Sequence, residues 1–374
     1  MMPAVHSVEA AKKKKTMNLE ALTNKIRSGQ RINQEDARLL IQEENWPPLF
    51  SLADERRKAA VGDEVLYATT LFIHPTNLCE LSCPMCSFYA KPGWKKAWFL
   101  TPEQIEAKVK EHLHHDLNEI HFVGGLWRDC DLNYYKEAFS RVKALDPSLH
   151  IKALTAVEYD FLARHHGFSI EEVFDEMKGY GLGSLPGGGA EVLVDEIRNK
   201  LAPGKMDSDS YLNTHKIAHQ KGLRSNITLL YGSIEEWDHI ITHLDKVRTL
   251  QDETGGFNTF VPLKYHVENN AMGKRKDRLK FKNDKVVYAL ARLYLDNIAH
   301  LKILWNYVSI SEALELLHCG GNDLGSTALD EKIITLAGGV QVKMNGETME
   351  QLISSIGRIP KKVSSGEKGA LCSV

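Results

Sequence analysis

The chain has 374 residues, a formal net charge of −2 and 43% hydrophobic residues. This composition is ordinary for a soluble globular protein, and a near-neutral charge gives no general attraction to nucleic acid. No apolar run reaches the roughly 18 residues that a membrane span requires, and six cysteines in a chain this long do not indicate a secreted disulfide framework. We therefore expect a cytoplasmic protein with one barrel-sized domain plus extensions, or with two domains.

The N-terminal residues 1–16 are predicted to be a disordered basic tail, because four consecutive lysines occupy positions 12–15. Contact of this tail with nucleic acid is the alternative. A signal peptide would need an apolar segment after the lysines, whereas the segment that follows is amphipathic. Residues 17–66 are predicted to form a helical N-terminal extension, since Leu19, Leu22 and Ile26 share one helical face and Asn33 can cap a second helix.

Three cysteines, Cys79, Cys83 and Cys86, follow the apolar run at 71–73 with the spacing C-x3-C-x2-C. Clustered cysteines can be buried apolar side chains, a disulfide or a zinc site. A closed zinc site takes four ligands, but no second pair of cysteines follows. The other cysteines stand alone without an evident role: Cys130, Cys319 and Cys372. Three thiolates can hold a four-iron cluster and leave one iron open, so Cys79, Cys83 and Cys86 are predicted to be metal ligands.

From residue 67 onwards, strand and helix patterns alternate. Seven strands are predicted, at residues 68–73, 119–123, 151–155, 182–185, 225–230, 259–263 and 302–307. The helices between them begin with capping signals, which are Thr101 to Gln104 with Pro102 and the S-x-x-E boxes at Ser169, Ser233 and Ser309. This order predicts a parallel sheet with right-handed crossovers.

The alternation alone does not separate a barrel from an open doubly wound sheet. Dinucleotide and Walker phosphate loops are missing from the sequence, and the span 67–339 is close to the roughly 250 residues of a barrel. We predict a partial or complete (β/α) TIM-like barrel domain over residues 67–359, with its chemistry at the carboxyl ends of the strands. Residues 360–374 are rich in Lys, Ser and Gly and are predicted to be a flexible tail.

Candidate site residues follow the second and third predicted strands. Gly124 and Gly125 either form a tight turn or let the backbone approach a ligand closely. Glu158 either binds a polar group of a cosubstrate or occupies the first turn of the next helix.

The fourth and fifth strands provide two further groups. Gly187, Gly188 and Gly189 form either a flexible loop or a surface of bare backbone amides against which a ligand can bind. Asn226 and Thr228 occupy alternate positions of the fifth strand and therefore share a face. Because polar groups inside a barrel need partners, a ribose or a carboxylate is expected near them.

Two further residues are candidates for contacts with substrate. Lys205, in the segment PGK, is either a partner for a substrate carboxylate or a surface lysine. His266, after the sixth strand, is either a proton donor or a structural histidine.

The cysteine spacing after the first strand of a long α/β pattern resembles the signature of the radical SAM superfamily. The resemblance implies a [4Fe-4S] cluster whose open iron binds the amino and carboxyl groups of S-adenosyl-L-methionine. It implies that the glycine pair hydrogen-bonds the amino group of this cosubstrate. It also implies that Met85 contacts adenine in the place of an aromatic residue, since a thioether is soft and apolar. The predicted cofactor-binding residues are Met85, Gly124, Gly125, Glu158, Asn226 and Thr228.

Five segments within residues 67–339 resemble the aminofutalosine synthase family. They are SLPGGGAE at 184–191, PGK at 203–205, QDETGGF at 251–257, the P-L-x-x-H element at 262–266 and LDNI at 295–298. The cyclic dehypoxanthine futalosine synthase family has a run similar to the first of these. The chain departs from the family pattern at Trp127 and Arg128, where Leu-His-Pro usually follows the glycine pair, and it lacks an arginine shortly after Cys86.

The resemblance implies that a 5′-deoxyadenosyl radical adds to the vinyl carbon of 3-[(1-carboxyvinyl)oxy]benzoate. Rearrangement and loss of carbon dioxide would then give 6-amino-6-deoxyfutalosine in menaquinone biosynthesis. Two substrate carboxylates require cationic or amide partners, and the hypothesised ones are Lys205, Lys264, His266 and the glycines at 187–189.

The implied partners are this small-molecule substrate and an electron donor such as flavodoxin or ferredoxin, with no nucleic acid and no membrane. One alternative is a cyclic dehypoxanthine futalosine synthase, which abstracts hydrogen and does not add the adenosyl group. The others are a non-catalytic iron–sulfur protein and a structural zinc protein.

Overall fold

The computed structural model describes residues 19–367, so the predicted basic tail at 1–16 and the last part of the predicted C-terminal tail lie outside the described residues. A helix covers residues 19–27, followed by α1 (Gln34–Leu40) and α2 (Trp46–Val61). The predicted cap at Asn33 is confirmed, since its side chain accepts a hydrogen bond from the Asp36 N–H and the Asp36 carboxylate accepts one from the Asn33 N–H. Strand β1 (Glu64–Ala68) comes directly after these helices.

The centre of the fold is a seven-stranded parallel sheet whose strands are arranged in chain order. The strands are β2 (Thr70–Ile73), β3 (Glu119–Phe122), β4 (His150–Ala153), β5 (Leu182–Leu185), β6 (Arg224–Tyr231), β7 (Phe257–Lys264) and β8 (His300–Leu301). Most of their residues are buried, as expected for parallel strands that helices cover.

Helices connect successive strands of this sheet. They are α3 (Pro102–His112), α4 (Leu132–Leu145), α5 (Ala156–His166), α6 (Ile170–Gly179), α7 (Asp195–Leu201), α8 (Ser208–Gln220), α9 (Trp237–Thr254) and α10 (Asp284–Tyr294). The predicted caps at Thr101, Ser169 and Ser309 are confirmed. The one at Ser233 is wrong, because α9 begins after Glu236 and the Ser233 hydroxyl instead donates to the buried Glu235 carboxylate.

The C-terminal part adds α11 (Ile310–Leu316), β9 (Asp323–Ser326), α12 (Ile333–Leu336), α13 (Gly346–Ser355) and β10 (Ile359–Lys362). A second parallel sheet has the order β10-β1-β9. The segment that carries β9 also joins the two edges of the main sheet, since Lys302 pairs with Asp323 and Leu71 pairs with Leu329 in single parallel bridges. The main sheet therefore curls into a barrel, as the sequence predicts.

Two expectations about strands and tails are wrong. The predicted strand at 302–307 is largely a loop, because β8 ends at Leu301. The predicted flexible tail contains β10, which pairs along its length with β1, and the Ser365 N–H donates to the buried Glu119 carboxylate at 2.8 Å. Local composition does not reveal a strand whose partner lies about 300 residues away, because pairing depends on tertiary contacts. No helix among residues 19–367 is long and apolar enough to cross a membrane.

Candidate active site

The three predicted ligands lie on one loop directly after β2, at the carboxyl end of the sheet. Cys79, Cys83 and Cys86 are free cysteines, and the Cys86 N–H donates to the Cys83 carbonyl at 3.0 Å to close a turn. Lys91 stabilises the loop from outside, because its ammonium donates to the carbonyls of Cys79, Glu80 and Leu81 at 2.8, 2.8 and 3.1 Å. The conformation of the loop thus depends on hydrogen bonds to its backbone carbonyls. The three thiols form no disulfide and can therefore bind a metal centre.

The thiols face a cavity of about 260 Å³, here called the outer cavity. The structure brings most of the predicted site residues together in its wall: Cys79, Cys83, Met85, Cys86, Gly124, Gly125, Glu158, Gly188, Gly189, Lys205, Lys264 and His266. These residues come from the ends of several strands, so the chain forms one site at the carboxyl edge of the barrel.

The donor set fits an iron–sulfur cluster. Among residues 19–367, no group of three or more His, Cys, Asp or Glu side chains is arranged to hold a single metal ion. A four-iron cluster requires a different arrangement, because each of its irons takes one thiolate. Burial raises the pKa of Cys79, and it raises the pKa of Cys83 to about 11. Thiolates at these positions therefore need a positive partner, which iron ions provide.

The glycine pair lets the cysteine loop pack on the end of β3. A Cβ atom on Gly125 would lie 2.1 Å from the Leu78 carbonyl oxygen and 3.1 Å from the Cβ of Cys79. A Cβ atom on Gly124 would lie 3.0 Å from the Thr76 carbonyl oxygen. Glycine is therefore needed here so that the backbone can pack on the cysteine loop, and the predicted close approach to a ligand stays a prediction.

Glu158 combines both of the roles considered for it. It is the third residue of α5, where it forms a capping box with Thr155, and it also lines the outer cavity. Its carboxylate accepts from the Thr155 N–H at 2.7 Å and from the Gly124 N–H at 3.0 Å. Burial raises the pKa of Glu158 to about 7 in spite of these hydrogen bonds. The Gly124 N–H is thus already bound to Glu158, so a contact of this glycine with an amino group would have to use its carbonyl oxygen as the acceptor.

The two lysines of the outer cavity are paired with carboxylates of the protein. Lys205 Nζ lies 2.6 Å from Glu191 Oε1, and Lys264 Nζ lies 2.5 Å from Asp284 Oδ2 and 3.6 Å from Glu312 Oε1. Burial alone would lower the pKa of Lys205, but the attraction of Glu191 outweighs it and raises that pKa. A substrate carboxylate would have to compete with these partners.

His266 has a protein partner as well. Its Nε2 lies 2.8 Å from the Tyr307 carbonyl oxygen, so this nitrogen is expected to carry the proton. Burial lowers the pKa of His266, and the ring is therefore expected to be neutral at pH 7. A neutral imidazole bonded to a backbone carbonyl fits the structural alternative, although the ring lines the outer cavity.

A second cavity of about 150 Å³, here called the inner cavity, lies inside the barrel. Gly187, Asn226 and Thr228 line it and do not line the outer cavity. Thr228 Oγ1 donates to the Gly187 carbonyl at 2.6 Å, whereas the Asn226 side chain makes no hydrogen bond to the part of the chain that the structure describes. The two cavities share wall residues: Val123, Thr155, Gly188, Leu263, Tyr307 and Ile333. They therefore meet at the middle of the barrel.

The glycines at 187–189 are held in place by neighbouring side chains. A Cβ atom on Gly187 would lie 2.6 Å from the Ile227 Cα, and the Tyr211 hydroxyl donates to the Gly187 carbonyl at 2.6 Å. Gly189 has a φ of 87°, a backbone conformation that favours glycine. These contacts disagree with a flexible loop and agree with a close wall between the two cavities.

Sequence reasoning missed several charged or polar residues of the inner cavity, among them Glu119, His121, Lys152, Lys302, Asn306 and Glu331. Glu119 and Lys152 form a buried ion pair. Alternation was the available signal, since residues 119 and 121 lie on one face of β3. The departures from the family pattern have little effect on the cavities, because Arg128 is exposed and neither it nor Trp127 lines them.

Two family models cover most of the chain. Residues 73–247 match the radical SAM superfamily, and residues 254–366 match the CofH/MqnC C-terminal region. The first span contains the cysteine loop and Asn226, and the second contains Lys264, His266 and the β9 segment.

Curated relatives align over nearly their whole length. An aminodeoxyfutalosine synthase of Thermus thermophilus is 32% identical over 91% of this chain and 92% of its own. One of Streptomyces coelicolor is 34% identical over 91% of this chain and 90% of its own. A 5-amino-6-(D-ribitylamino)uracil–L-tyrosine 4-hydroxyphenyl transferase of Archaeoglobus fulgidus is 35% identical over 84% of this chain and 91% of its own.

Solved structures of low identity share the fold. Methylornithine synthase has a TM-score of 0.73 at 17% identity, with 92% of this chain and 98% of that chain covered. The hydrogenase maturase HydG has a TM-score of 0.73 at 16% identity, with 96% of this chain and 79% of that chain covered. The chain therefore belongs to the radical SAM superfamily, as a radical SAM transferase of the family that includes the aminodeoxyfutalosine synthases, and its cofactors are a [4Fe-4S] cluster and S-adenosylmethionine.

Proposed function

We propose that this protein is an aminodeoxyfutalosine synthase of menaquinone biosynthesis. It would convert 3-[(1-carboxyvinyl)oxy]benzoate to 6-amino-6-deoxyfutalosine by addition of the 5′-deoxyadenosyl group, rearrangement and loss of carbon dioxide. One observation supports this above the others: the cavity at the three thiols meets a second cavity inside the barrel, so a cosubstrate and an aryl substrate can lie end to end. The aminodeoxyfutalosine synthases among the relatives align over about nine-tenths of the chain.

The outer cavity would hold the cofactors. Cys79, Cys83 and Cys86 are the proposed cluster ligands, with Met85 against adenine and Gly125 next to the amino group of S-adenosylmethionine. When bound, these cofactors supply the 5′-deoxyadenosyl radical. Glu158 would accept a hydrogen bond from the same amino group, since its carboxylate lines this cavity.

The inner cavity and the shared wall would hold the substrate away from water. Leu263 and Ile333 line both cavities, and apolar contacts on both sides of the reacting carbon keep the radical from side reactions with solvent. Gly188 allows close approach at the same place. Asn226 would bind a polar group of the ligand, since it lines the inner cavity.

The test is anaerobic reconstitution with iron and sulfide, followed by assay with dithionite, adenosyl-labelled S-adenosylmethionine and 3-[(1-carboxyvinyl)oxy]benzoate, here called the enolpyruvyl benzoate. We expect labelled 6-amino-6-deoxyfutalosine. Release of free 5′-deoxyadenosine without any adenosyl-containing product would contradict the proposal.

A second candidate is transfer of the 4-hydroxyphenyl group of tyrosine. Its support is the similarity to the tyrosine transferases, which are 33–35% identical to this chain. The same reconstituted protein should be assayed with L-tyrosine and 5-amino-6-(D-ribitylamino)uracil. Turnover of this pair without turnover of the enolpyruvyl benzoate would replace the first proposal. A cyclic dehypoxanthine futalosine synthase would instead abstract a hydrogen atom from dehypoxanthine futalosine, and the adenosyl group of S-adenosylmethionine would leave as free 5′-deoxyadenosine.

Reduction of the cluster needs an electron donor, and we propose an acidic protein such as flavodoxin or ferredoxin. Residues 274–282 contain six basic residues and one acidic residue and form what is called here the basic surface. This surface lies beside the cysteine loop, because Arg275 and Arg278 line a cavity together with Pro84, and the Met272 N–H just before the surface donates to the Pro84 carbonyl at 3.0 Å. Free thiols and a reducing partner agree with the proposed cytoplasmic location.

A further inference from the structure

The inner cavity contains hydrogen-bond donors that the protein leaves without a strong partner. The acid next to Lys302 Nζ is Asp323, whose Oδ2 lies 3.7 Å away, beyond hydrogen-bond distance. The Asn226 and Asn306 side chains make no hydrogen bond to a residue in the range 19–367. His121 lines the cavity, and its buried Nε2 has no partner within the same range.

The carboxylates that line the same cavity, unlike these donors, have hydrogen-bond partners within the protein. Glu119 accepts from Lys152 and from the Ser365 N–H at 2.8 Å. Glu331 accepts from the Ile333 N–H at 2.8 Å. Donors therefore exceed free acceptors inside the barrel, so a ligand that presents acceptor oxygens is expected there.

The lysine distances identify the cation that is open to a ligand. Lys205 and Lys264 each have a carboxylate oxygen at 2.6 Å or less, whereas Lys302 has its acidic neighbour at 3.7 Å. The Lys302 side chain is only 8% exposed. A buried ammonium without a close hydrogen-bonded partner is costly, and a second carboxylate would relieve that cost.

The remaining wall of the inner cavity suits an aromatic ring. Phe72, Val261 and Leu304 line it, and its volume of about 150 Å³ is similar to that of a protein cavity that binds benzene. A ring placed here would direct its other substituent to the shared wall at Leu263 and Ile333, next to the outer cavity.

We propose that the inner cavity binds the ring carboxylate of the benzoate substrate, with Lys302 as its cationic partner and the Asn306 amide as a further donor. The inference rests on the proposed function and adds the orientation of the substrate. The benzoate lies inside the barrel, and the enolpyruvyl group points to the three thiols. Lys302 replaces Lys205 and Lys264 as the partner of this carboxylate.

The test measures equilibrium binding by calorimetry, on reconstituted protein with S-adenosylmethionine and without a reductant. The ligands are 3-[(1-carboxyvinyl)oxy]benzoate and 2-phenoxyacrylate, which lacks the ring carboxylate. Wild-type protein should bind the benzoate roughly 10- to 100-fold more tightly, as expected for a charge-assisted hydrogen bond. Lys302→Met should weaken binding of the benzoate by a similar factor and leave binding of 2-phenoxyacrylate nearly unchanged.

Lys361→Met is the matched control, because Lys361 is half exposed on β10 and pairs with Glu64. Lys361→Met should bind 3-[(1-carboxyvinyl)oxy]benzoate more tightly than 2-phenoxyacrylate by the same factor as wild type. If Lys302→Met does not fold, the charge-neutral double variant Lys302→Met/Asp323→Asn gives the same comparison. An unchanged preference in the Lys302 variant would overturn the inference and leave the proposed function intact. No binding of the benzoate by wild-type protein would overturn the proposed function itself.

Discussion

Single residues of the outer cavity are arranged so that most charges already have a partner. Lys205 has Glu191, and Lys264 has Asp284. Glu158 differs, because its carboxylate has only neutral donors within hydrogen-bond distance and burial raises its pKa to about 7. A carboxyl group of this kind gains from a positively charged ligand, which would stabilise its ionised form.

Glu158 should make the cofactor-free protein less stable as the pH rises. Its pKa of about 7 lies above the ordinary value of 4.5, so between these pH values the folded state binds a proton that the unfolded state has released. Stability is therefore present below pH 4.5 and is lost as the pH rises to about 7, by up to about 3 kcal/mol.

Glu158→Gln should remove that part of the pH dependence. The check is urea unfolding of both proteins at pH 5 and pH 8, from which the difference in free energy of unfolding is taken. Other groups contribute equally to the two proteins and cancel in the comparison. Parallel pH profiles of wild type and variant would contradict the assigned pKa.

Cys83→Ser should abolish the cluster, since removal of one of three thiolates leaves two irons without protein ligands. Iron content and the visible absorption of the reconstituted protein should fall to background. Cys319→Ala is the control, because Cys319 is buried far from the cysteine loop in sequence and does not line either cavity. Full iron binding by Cys83→Ser would exclude this residue as a ligand.

At the scale of elements, the site depends on how β3 and its following turn pack against the cysteine loop. Gly125 is the closest contact, with only 2.1 Å between an added Cβ atom and the Leu78 carbonyl oxygen. The neighbour is backbone, so no side chain can rotate away to make room.

Gly125→Ala should displace the cysteine loop. We expect a loss of roughly 1–3 kcal/mol in the free energy of unfolding, together with reduced iron content after reconstitution. Gly179→Ala is the matched control, because nothing lies within 4 Å of its added Cβ atom and it ends α6. The control should bind iron like wild type. Equal iron content in Gly125→Ala would show that the loop tolerates the displacement.

Strand β10 is an edge strand of the smaller sheet. It pairs with β1, and the residues after it reach Glu119, since the Ser365 N–H donates to that buried carboxylate. Truncation after residue 358 should therefore lower the free energy of unfolding by roughly 3 kcal/mol, because β1 loses a neighbour and Glu119 loses a donor.

The control for this truncation ends at residue 367 and retains β10 and Ser365. Thermal unfolding should give a clearly lower midpoint for the shorter protein only. Equal midpoints for the two truncated proteins would mean that β10 contributes nothing to stability.

In the molecule as a whole, the proposed sites for the cluster, the substrate and the electron donor lie in three different places. The carboxyl edge carries the thiols, the interior carries the inner cavity, and the basic surface reaches the outside of the cysteine loop. Arg275 and Arg278 of this surface line a further cavity beside Pro84. An acidic donor docked there would lie close to the cluster, and the opposite charges would speed its association.

Lys276→Glu/Arg278→Glu should slow cluster reduction by reduced flavodoxin about tenfold at low ionic strength. Reduction by dithionite should stay unchanged, because this small reductant needs no docking surface. Lys110→Glu is the control, since Lys110 is in the last turn of α3 and so near the opposite end of the barrel. Stopped-flow absorption of the cluster measures the rate of reduction of wild type and of both variants by each reductant. An equal flavodoxin rate in the charge-reversed protein would remove the basic surface from the proposal.

Much of this organisation could be predicted from local sequence. Capping boxes such as the one at Thr101 are formed by residues three apart, so their hydrogen bonds need no distant partner. The predicted strand order agrees with the sheet because parallel strands joined by helices follow in sequence. Gly124, Gly125 and Glu158 could be expected in one site, since the carboxyl ends of neighbouring strands meet at one edge.

The partners of buried charges could not be predicted in the same way. Lys205 and Lys264 were candidates for a substrate carboxylate, yet the fold pairs them with Glu191 and Asp284, which lie 14 and 20 residues away. For Lys302, the sequence predicts a place on a strand and indicates no role in the site. Its position in the inner cavity results from the segment that carries β9, which joins the edges of the sheet around it.

Residue types at short spacing were enough to predict the three cysteine ligands, which stay a prediction, and to predict the strand–helix alternation and the family correctly. The fold was needed to show which charges have partners, that β10 is a strand and that the barrel contains a second cavity. These features depend on contacts between residues far apart in the chain, and the energy of a buried charge is set by the partner that folding brings within hydrogen-bond distance.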